Sequence, residues 1–418
     1  MTAHRGTAPL PYGRQWIDSD DVAAVTACLT DDYLTQGPRV EEFERRLCTV
    51  TGARHAVSVT SGTAALHLAA LALGVGPGDV GLTSPITFLA SANAIRYAGG
   101  DAAFADVDPD DGLLRPDSVE AMAERLALEG RPPKLIIPVD FAGQPADMPR
   151  LRQIAGRFGA RVLQDSAHSL GATYRRGDAQ RPIGCCADAD ATVLSFHPVK
   201  HITTAEGGAV LTNDSEVYDR LLRLRNHGIE RRPERLSRQA EGDPMVGSWY
   251  HEQVELGFNY RLPDLLCALG ISQLRRLDAF VARRRDLAAR YDSGLAAHPE
   301  LASQLTPLAQ RPDRASTFHL YVVRVRQRDG ETLADVACRR RRLYDFLRDR
   351  GILVQVHYIP VPWQPDYAGR ALIPSTGLPG AEAYYASCLS LPLFPAMADD
   401  DVDRVLEALA AWGAGEGN

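Results

Sequence analysis

Lys200 closes the segment Ser195-Phe196-His197-Pro198-Val199-Lys200, and Glu206-Gly207-Gly208 follows close behind. The run Thr192-Val193-Leu194 reads as a buried strand, so this lysine is held against backbone between a strand and a tight glycine turn. Burial lowers an amine's pKa and frees its lone pair to attack a carbonyl. Asp165 ends another strand-like run, Arg161-Val162-Leu163-Gln164, where an acid can keep a pyridine nitrogen protonated. His168, three residues on, is placed to stack on or orient such a ring. Ser61-Gly62-Thr63-Ala64 opens a helix directly after a strand, where free N–H groups and a missing Cβ suit a phosphate. Ser195 adds a hydroxyl toward the same phosphate, and Phe88, past a further strand end, is an aromatic that can cover the ring face. Each residue alone has a plainer reading: a solvated lysine, a turn aspartate, a capping turn, a structural histidine, a core phenylalanine. Together they are the parts that hold pyridoxal phosphate (PLP) as a lysine imine.

The surrounding pattern alternates short apolar runs with longer helical ones. Strands are expected at Ala53–Val59, Val80–Thr83, Ala102–Val107, Leu135–Asp140, Arg161–Asp165, Ala191–Phe196 and Ala209–Thr212. Helices are expected between them at Thr63–Leu73, Leu89–Tyr97, Val119–Leu128 and Met148–Phe158. This is an α/β pattern with a mostly parallel central sheet and helices on both faces. Ligands in such sheets collect at the carboxyl ends of strands, where Ser61, Asp165 and Ser195 fall. The expected organisation is an N-terminal arm and large α/β domain over residues 1–262, a long connecting helix over 263–298, and a smaller C-terminal α+β domain over 299–418. Residues 229–253 read as a long functional loop.

The net charge of -7 in 418 residues argues against a general affinity for nucleic acid. The runs Arg283–Arg285 and Arg339–Arg342 read as solvated helix faces. Arg231, Arg232, Arg235 and Arg238 crowd the long loop and are expected to meet a diphosphate. The seven cysteines are odd in number and include no CxxC pair, which disfavours a disulfide framework or a zinc site; no metal is expected. The start of the chain lacks the apolar core of a signal peptide, and no apolar stretch approaches the ~20 residues that span a bilayer. A cytoplasmic protein without membrane contact is therefore expected. No G-x-G-x-x-G follows the early strands, which disfavours an NAD enzyme.

The segments Ser61-Gly62-Thr63-Ala64-Ala65-Leu66-His67, Asp165-Ser166-Ala167-His168 and Ser195–Lys200 resemble the DegT/DnrJ/EryC1/StrS nucleotide-sugar aminotransferases, over roughly Pro11 to Ala410. That resemblance implies the PLP-dependent transferase fold of type I, aspartate-aminotransferase-like, and a homodimer with active sites at the interface. A narrower likeness, to the family's pseudaminic-acid branch, rests on Pro11–Gln15, Leu34–Pro38, Thr83–Phe88, Phe141–Pro145, Leu256–Arg261, Val356–Val361 and Leu389–Leu393. It implies transfer of an amino group from L-glutamate to C4 of UDP-2-acetamido-2,6-dideoxy-β-L-arabino-hexos-4-ulose. By position, Lys200 would carry the imine and move protons, Asp165 would pair with the pyridine nitrogen, and His168 would lie near the ring's O3′. Gly62, Thr63, Ala64 and Ser195 would bind phosphate, Phe88 would stack on the ring, and Asn259 would reach the phosphate of the neighbouring subunit. Tyr12, Thr35, Gln36, Gly37, His357 and Tyr358 would line the sugar pocket. The chain departs from the pattern at Ala205, where Gly is usual, at Gln164, at Asp140 and in a long Arg175–Cys186 stretch. Competing readings are a family member acting on a dTDP-keto sugar or a non-sugar ketone, and a non-catalytic PLP-binding sensor. Sugar dehydratase relatives replace the lysine with histidine, so Lys200 speaks against them.

Overall fold

A computed structural model of the chain describes residues 8–238 and 244–416. Seven strands form the central sheet: β1 (His55–Val59), β2 (Val80–Thr83), β3 (Asp101–Phe104), β4 (Pro133–Ile137), β5 (Arg161–Asp165), β6 (Ala191–Ser195) and β7 (Gly208–Thr212). Their spatial order is β1-β7-β6-β5-β4-β2-β3. The pairs from β6 across to β3 are parallel, whereas β7 runs antiparallel to both β1 and β6.

Alternate residues of each strand enter different cores, as the period of a pleated strand requires. Val57, Leu135, Ile137, Leu163, Val193 and Val210 face one layer; Ala56, Ile136, Val162, Leu194 and Leu211 face the other. The first layer holds helices α3 (Gly62–Ala72), α4 (Leu89–Tyr97) and α7 (Ser215–Arg225). The second holds α2 (Pro38–Thr51), α5 (Pro116–Leu128), α6 (Met148–Phe158) and α8 (Asp264–Leu274), with α1 (Ser19–Leu29) packed on α8. Covered on both sides, the strands read as continuous apolar runs.

The expected single helix over 263–298 is two helices, α8 and α9 (Leu277–Ala297). The break falls at Arg275-Arg276, where the Arg276 guanidinium pairs with Asp18, 2.7 Å away, and with Asp21 of α1. Beyond α9, the short α10 (Pro299–Ala302) leads to an antiparallel sheet in the order β8-β9-β10: β8 (Leu305–Pro307), β9 (Tyr321–Val325) and β10 (Cys388–Leu391). Helices α9, α11 (Leu333–Asp349) and α12 (Asp399–Ala411) close its core through Tyr291, Leu343, Leu347, Val405 and Leu409. Leu10–Pro11 adds a short parallel pairing with Ile352–Leu353, which ties the N-terminal arm to this unit.

Two stretches noted in the sequence take local structure. The long Arg175–Cys186 stretch contains a hairpin turn, Thr173–Arg176 paired with Ala179–Pro182, with Gly177 at φ 59° between them. Of the loop over 229–253, Ile229–Glu230 and Glu252–Gln253 pair antiparallel, while residues 239–243 lie outside the described residues. The arginine-run expectation also fails at its centre. Arg284 is fully buried and donates to the Phe318, His319 and Leu393 carbonyls at 3.3, 3.2 and 3.0 Å. Arg339 is buried too, against Glu331 at 2.6 Å. Among the described residues no helix is long and apolar enough to cross a membrane.

Candidate active site

The chain leaves β6 at Ser195, turns through Lys200 and returns as β7. The turn is closed on itself: Phe196 N–H donates to the Gly207 carbonyl (2.9 Å), Thr204 N–H to the Phe196 carbonyl (3.0 Å) and Lys200 N–H to the His197 carbonyl (2.9 Å). Ala205, where the family pattern has Gly, sits at φ 65°, the left-handed region that a Cβ disfavours. Lys200 keeps some surface open to the cavity it enters, yet its amine is packed in protein. Burial pushes its pKa down to about 8, against the pull of Asp165 and with the help of the Arg284 charge.

Asp165 ends β5 beneath that cavity and is nearly fully buried. Its backbone is bound on both sides, N–H to the Pro138 carbonyl at 2.8 Å and carbonyl to the Asp140 N–H at 3.0 Å. Oδ2 accepts from the Ser91 hydroxyl at 2.7 Å and Oδ1 from the Ala167 N–H at 3.1 Å. Burial raises its pKa, opposed by those two bonds and by the Lys200 charge. Two departures from the family pattern explain each other here. Asp140 Oδ2 accepts from Gln164 Nε2 (3.0 Å), Ser166 Oγ (2.7 Å) and Ser169 Oγ (2.6 Å), which fixes the loop between Asp165 and His168. His168 Nε2 lies 3.3 Å from the Tyr358 hydroxyl, and its ring packs 4.2 Å from that of His319. Burial, with the nearby Lys200 charge, holds His168 neutral, well below the usual imidazole range.

The opposite end of the cavity is the start of α3. Ser61 caps the helix, its hydroxyl accepting from the Ala64 N–H at 3.1 Å. The Gly62 and Thr63 N–H groups are the helix-start donors left without an intrahelical acceptor. A Cβ on Gly62 would lie 3.0 Å from Ser195 Cβ and 3.2 Å from its Oγ, so the glycine keeps a hollow open beside that hydroxyl. Gly208 allows the approach from below: a Cβ there would meet the Ser61 carbonyl oxygen at 2.5 Å.

One cavity of 460 Å³ gathers Tyr12, Gly62, Thr63, Phe88, Asp165, His168, Ser195, Lys200, His357 and Tyr358. Ala64 stands one step behind, its N–H taken by Ser61. Phe88 is 59% exposed at the rim, its ring 6.2 Å from that of Tyr358. The expectation that Thr35, Gln36 and Gly37 line this sugar pocket is not met within one chain. Gly37 and Arg39 donate their N–H groups to Asp264 at 2.8 and 2.9 Å, which pins that turn onto the start of α8. Gln36 and Gly37 instead line a second cavity of 320 Å³ with Glu44, Tyr218, Arg225 and Arg261. Thr35 is exposed and outside both cavities, as is Asn259, whose backbone bridges to Asn226. Of the loop arginines, Arg232 and Arg235 pair with Asp219 at 2.9 and 2.7 Å. Sequence reasoning missed Thr87 and Ser91, a hydroxyl pair at the entry to α4. It also missed the buried cluster of His201, His319 and Arg284 behind Lys200, where only the repeated polar residues in apolar surroundings gave a hint.

The model of the DegT/DnrJ/EryC1/StrS aminotransferase family matches residues 15–410. The chain belongs to that family. A spore coat polysaccharide biosynthesis protein of Bacillus subtilis, SpsC, is 38% identical over 96% of both chains. The UDP-4-amino-4,6-dideoxy-N-acetyl-β-L-altrosamine transaminase of Campylobacter jejuni is 36% identical, again over 96% of both. Among solved structures, the Spr1654 chain of Streptococcus pneumoniae, described as a sugar aminotransferase and determined in its PLP form, superposes with a TM-score of 0.82 at 31% identity. It covers 97% of this chain and 99% of its own. The same protein is also known with pyridoxamine phosphate. The protein is thus a PLP-dependent aminotransferase of the DegT/DnrJ/EryC1/StrS family. The site's own chemistry fits the cofactor: a hollow at Gly62 beside a hydroxyl and free helix-start donors, an acid buried between neutral hydrogen-bond donors, and an amine of lowered basicity.

Proposed function

We propose that this aminotransferase moves the amino group of L-glutamate to C4 of a nucleotide-linked 4-keto-6-deoxy sugar, with UDP-2-acetamido-2,6-dideoxy-β-L-arabino-hexos-4-ulose the favoured acceptor. The observation that carries the reading is the convergence of Lys200, Asp165 and the Gly62–Thr63 helix start on one cavity. The 36% identity to the Campylobacter jejuni transaminase supports the choice of sugar.

Pyridoxal phosphate, when bound, supplies an electron sink for a proton lost from carbon. Gly62, Thr63 and Ser195 hold its phosphate through N–H and hydroxyl donors. Asp165 keeps the ring nitrogen protonated, and His168, Tyr358 and Phe88 fix the ring plane. The Lys200 amine takes the proton from the donor's Cα as general base and returns it as general acid. Because Lys200 loses its charge near pH 8, it holds enough free base at neutral pH for that work. Tyr12, His357 and Tyr358 face the sugar. His357 is fixed by a 2.8 Å contact from Nδ1 to the Ser390 hydroxyl. Thr35, Gln36, Gly37 and Asn259 act across a homodimer interface, which accounts for their distance from Lys200 in their own chain. We infer that the reaction runs in the cytoplasm.

The deciding experiment incubates holoenzyme and glutamate with a panel of UDP- and dTDP-linked 4-keto sugars, read by mass spectrometry. Conversion of the UDP-linked keto sugar to its amine supports the reading; amination of dTDP sugars alone replaces the acceptor. Lys200→Arg keeps a cation without a usable free base, and near-normal turnover by it would remove the lysine from the mechanism.

A further inference from the structure

We propose that Ser91, backed by Thr87, is a positioning residue for Asp165: the two hydroxyls form a one-way hydrogen-bond relay that keeps this acid ionised and aimed at the ring nitrogen. The inference rests on the role of Asp165 given above.

Ser91 lies on α4 and is completely buried; its hydroxyl is 2.7 Å from Asp165 Oδ2. The Thr87 hydroxyl, 3% exposed for the residue as a whole, is 2.6 Å from that of Ser91. Each hydroxyl carries one proton, and an ionised carboxylate only accepts. With Asp165 ionised, the Ser91 proton is committed to Oδ2, so Thr87 must donate to Ser91 Oγ. Both bonds then point toward the carboxylate, and each polarises the next. A protonated Asp165 would instead compete to donate its own proton to Ser91, and the direction would be lost.

A buried carboxylate is costly unless it is paired or hydrogen-bonded. Among the described residues no arginine pairs with Asp165. The groups that act on it are the Ser91 hydroxyl, the Ala167 N–H and the charge of Lys200. The Tyr358 hydroxyl, itself pushed up by burial, also faces it, and His168 stands three residues along, held neutral. Lys200 gives up part of its own charge in use, since it works as the free base. Ser91 is the side chain whose support for the anion stays constant through the reaction. Thr87 lies just before α4 and Ser91 in its first turn, and their contact spans the helix start beside the end of β5.

The test compares the wild-type holoenzyme with S91A, S91T, T87V and D165N. Three quantities are read: the pH midpoint of the bound cofactor's visible absorbance, the cofactor dissociation constant, and kcat and KM with glutamate. Loss of the anion beside the cofactor disfavours its protonated forms. S91A is therefore expected to lower the absorbance midpoint by about one pH unit, and to cut kcat about tenfold with little change in KM. S91T, which restores the hydroxyl, should return both to near wild type, and T87V should fall between. If S91A changes only thermal stability, keeping the wild-type midpoint and dissociation constant while D165N loses both, the relay is packing and the inference fails. If D165N also matches wild type, the role of Asp165 itself is overturned.

Discussion

At the residue scale, the reactivity proposed for Lys200 follows from where it sits. A free lysine amine stays protonated far above neutral pH, but burial takes Lys200 to about 8. The free-base fraction grows as pH rises through that value. The rate at which apoprotein captures added pyridoxal phosphate should therefore rise with a midpoint near 8. A stopped-flow series against pH checks this, and a midpoint above 10 would show the amine to be solvated. Ala205 carries a cost of its own. Its φ of 65° is one that glycine adopts freely and alanine does not. Ala205→Gly should raise unfolding free energy by about 0.5–1 kcal/mol, after allowance for the looser unfolded chain. Urea denaturation of apoprotein measures it; a lower midpoint would mean the turn is unstrained.

At the element scale, the proposed phosphate end is the junction of α3 with β1, β6 and β7. The strand and helix runs here were legible because β-period and helix-period apolar patterns meet at Ser61-Gly62. Gly62 is required by what lies opposite rather than by its own backbone. Gly62→Ala would place a methyl against Ser195 and fill the hollow. The cofactor dissociation constant should rise about tenfold or more, and the forced contact should cost the apoprotein about 1 kcal/mol. Equilibrium dialysis and a thermal melt of the apoprotein separate the two. The break between α8 and α9 was not legible. The sequence over 263–298 has helical periodicity without a strong breaker. The division comes from Arg276 reaching back to Asp18 and Asp21, more than 250 residues away, and no local pattern reports that contact.

At the scale of the whole molecule, the chain places some expected pocket residues outside the cavity that holds Lys200. Gln36 and Gly37 line the cavity near Arg225 and Arg261, and Asn259 is exposed. A homodimer that carries these residues into the partner's site makes each active centre a product of both chains. Lys200→Ala and Asn259→Ala should each be nearly inactive alone. Unfolded together and refolded at equal amounts, they should recover about a quarter of wild-type activity, because half of the dimers are mixed and hold one intact site. No recovery, with mixed dimers present by native mass spectrometry, would place Asn259 in its own chain's site or outside both.

The amino-acid sequence alone determined the alternation of strands and helices, and it placed the amine, acid and helix start proposed for the site at strand ends. Those are local properties: side-chain period, turn residues, and a lysine or aspartate at the close of an apolar run. Tertiary structure decided which groups meet. It brought Ser91 to Asp165 across 74 residues, joined Gln164 to Asp140, buried Arg284 among carbonyls, and sent Gly37 to Asp264 rather than to Lys200. The physical reason is that a hydrogen bond or an ion pair between distant segments depends on packing geometry, and packing geometry is a property of the folded chain as a whole.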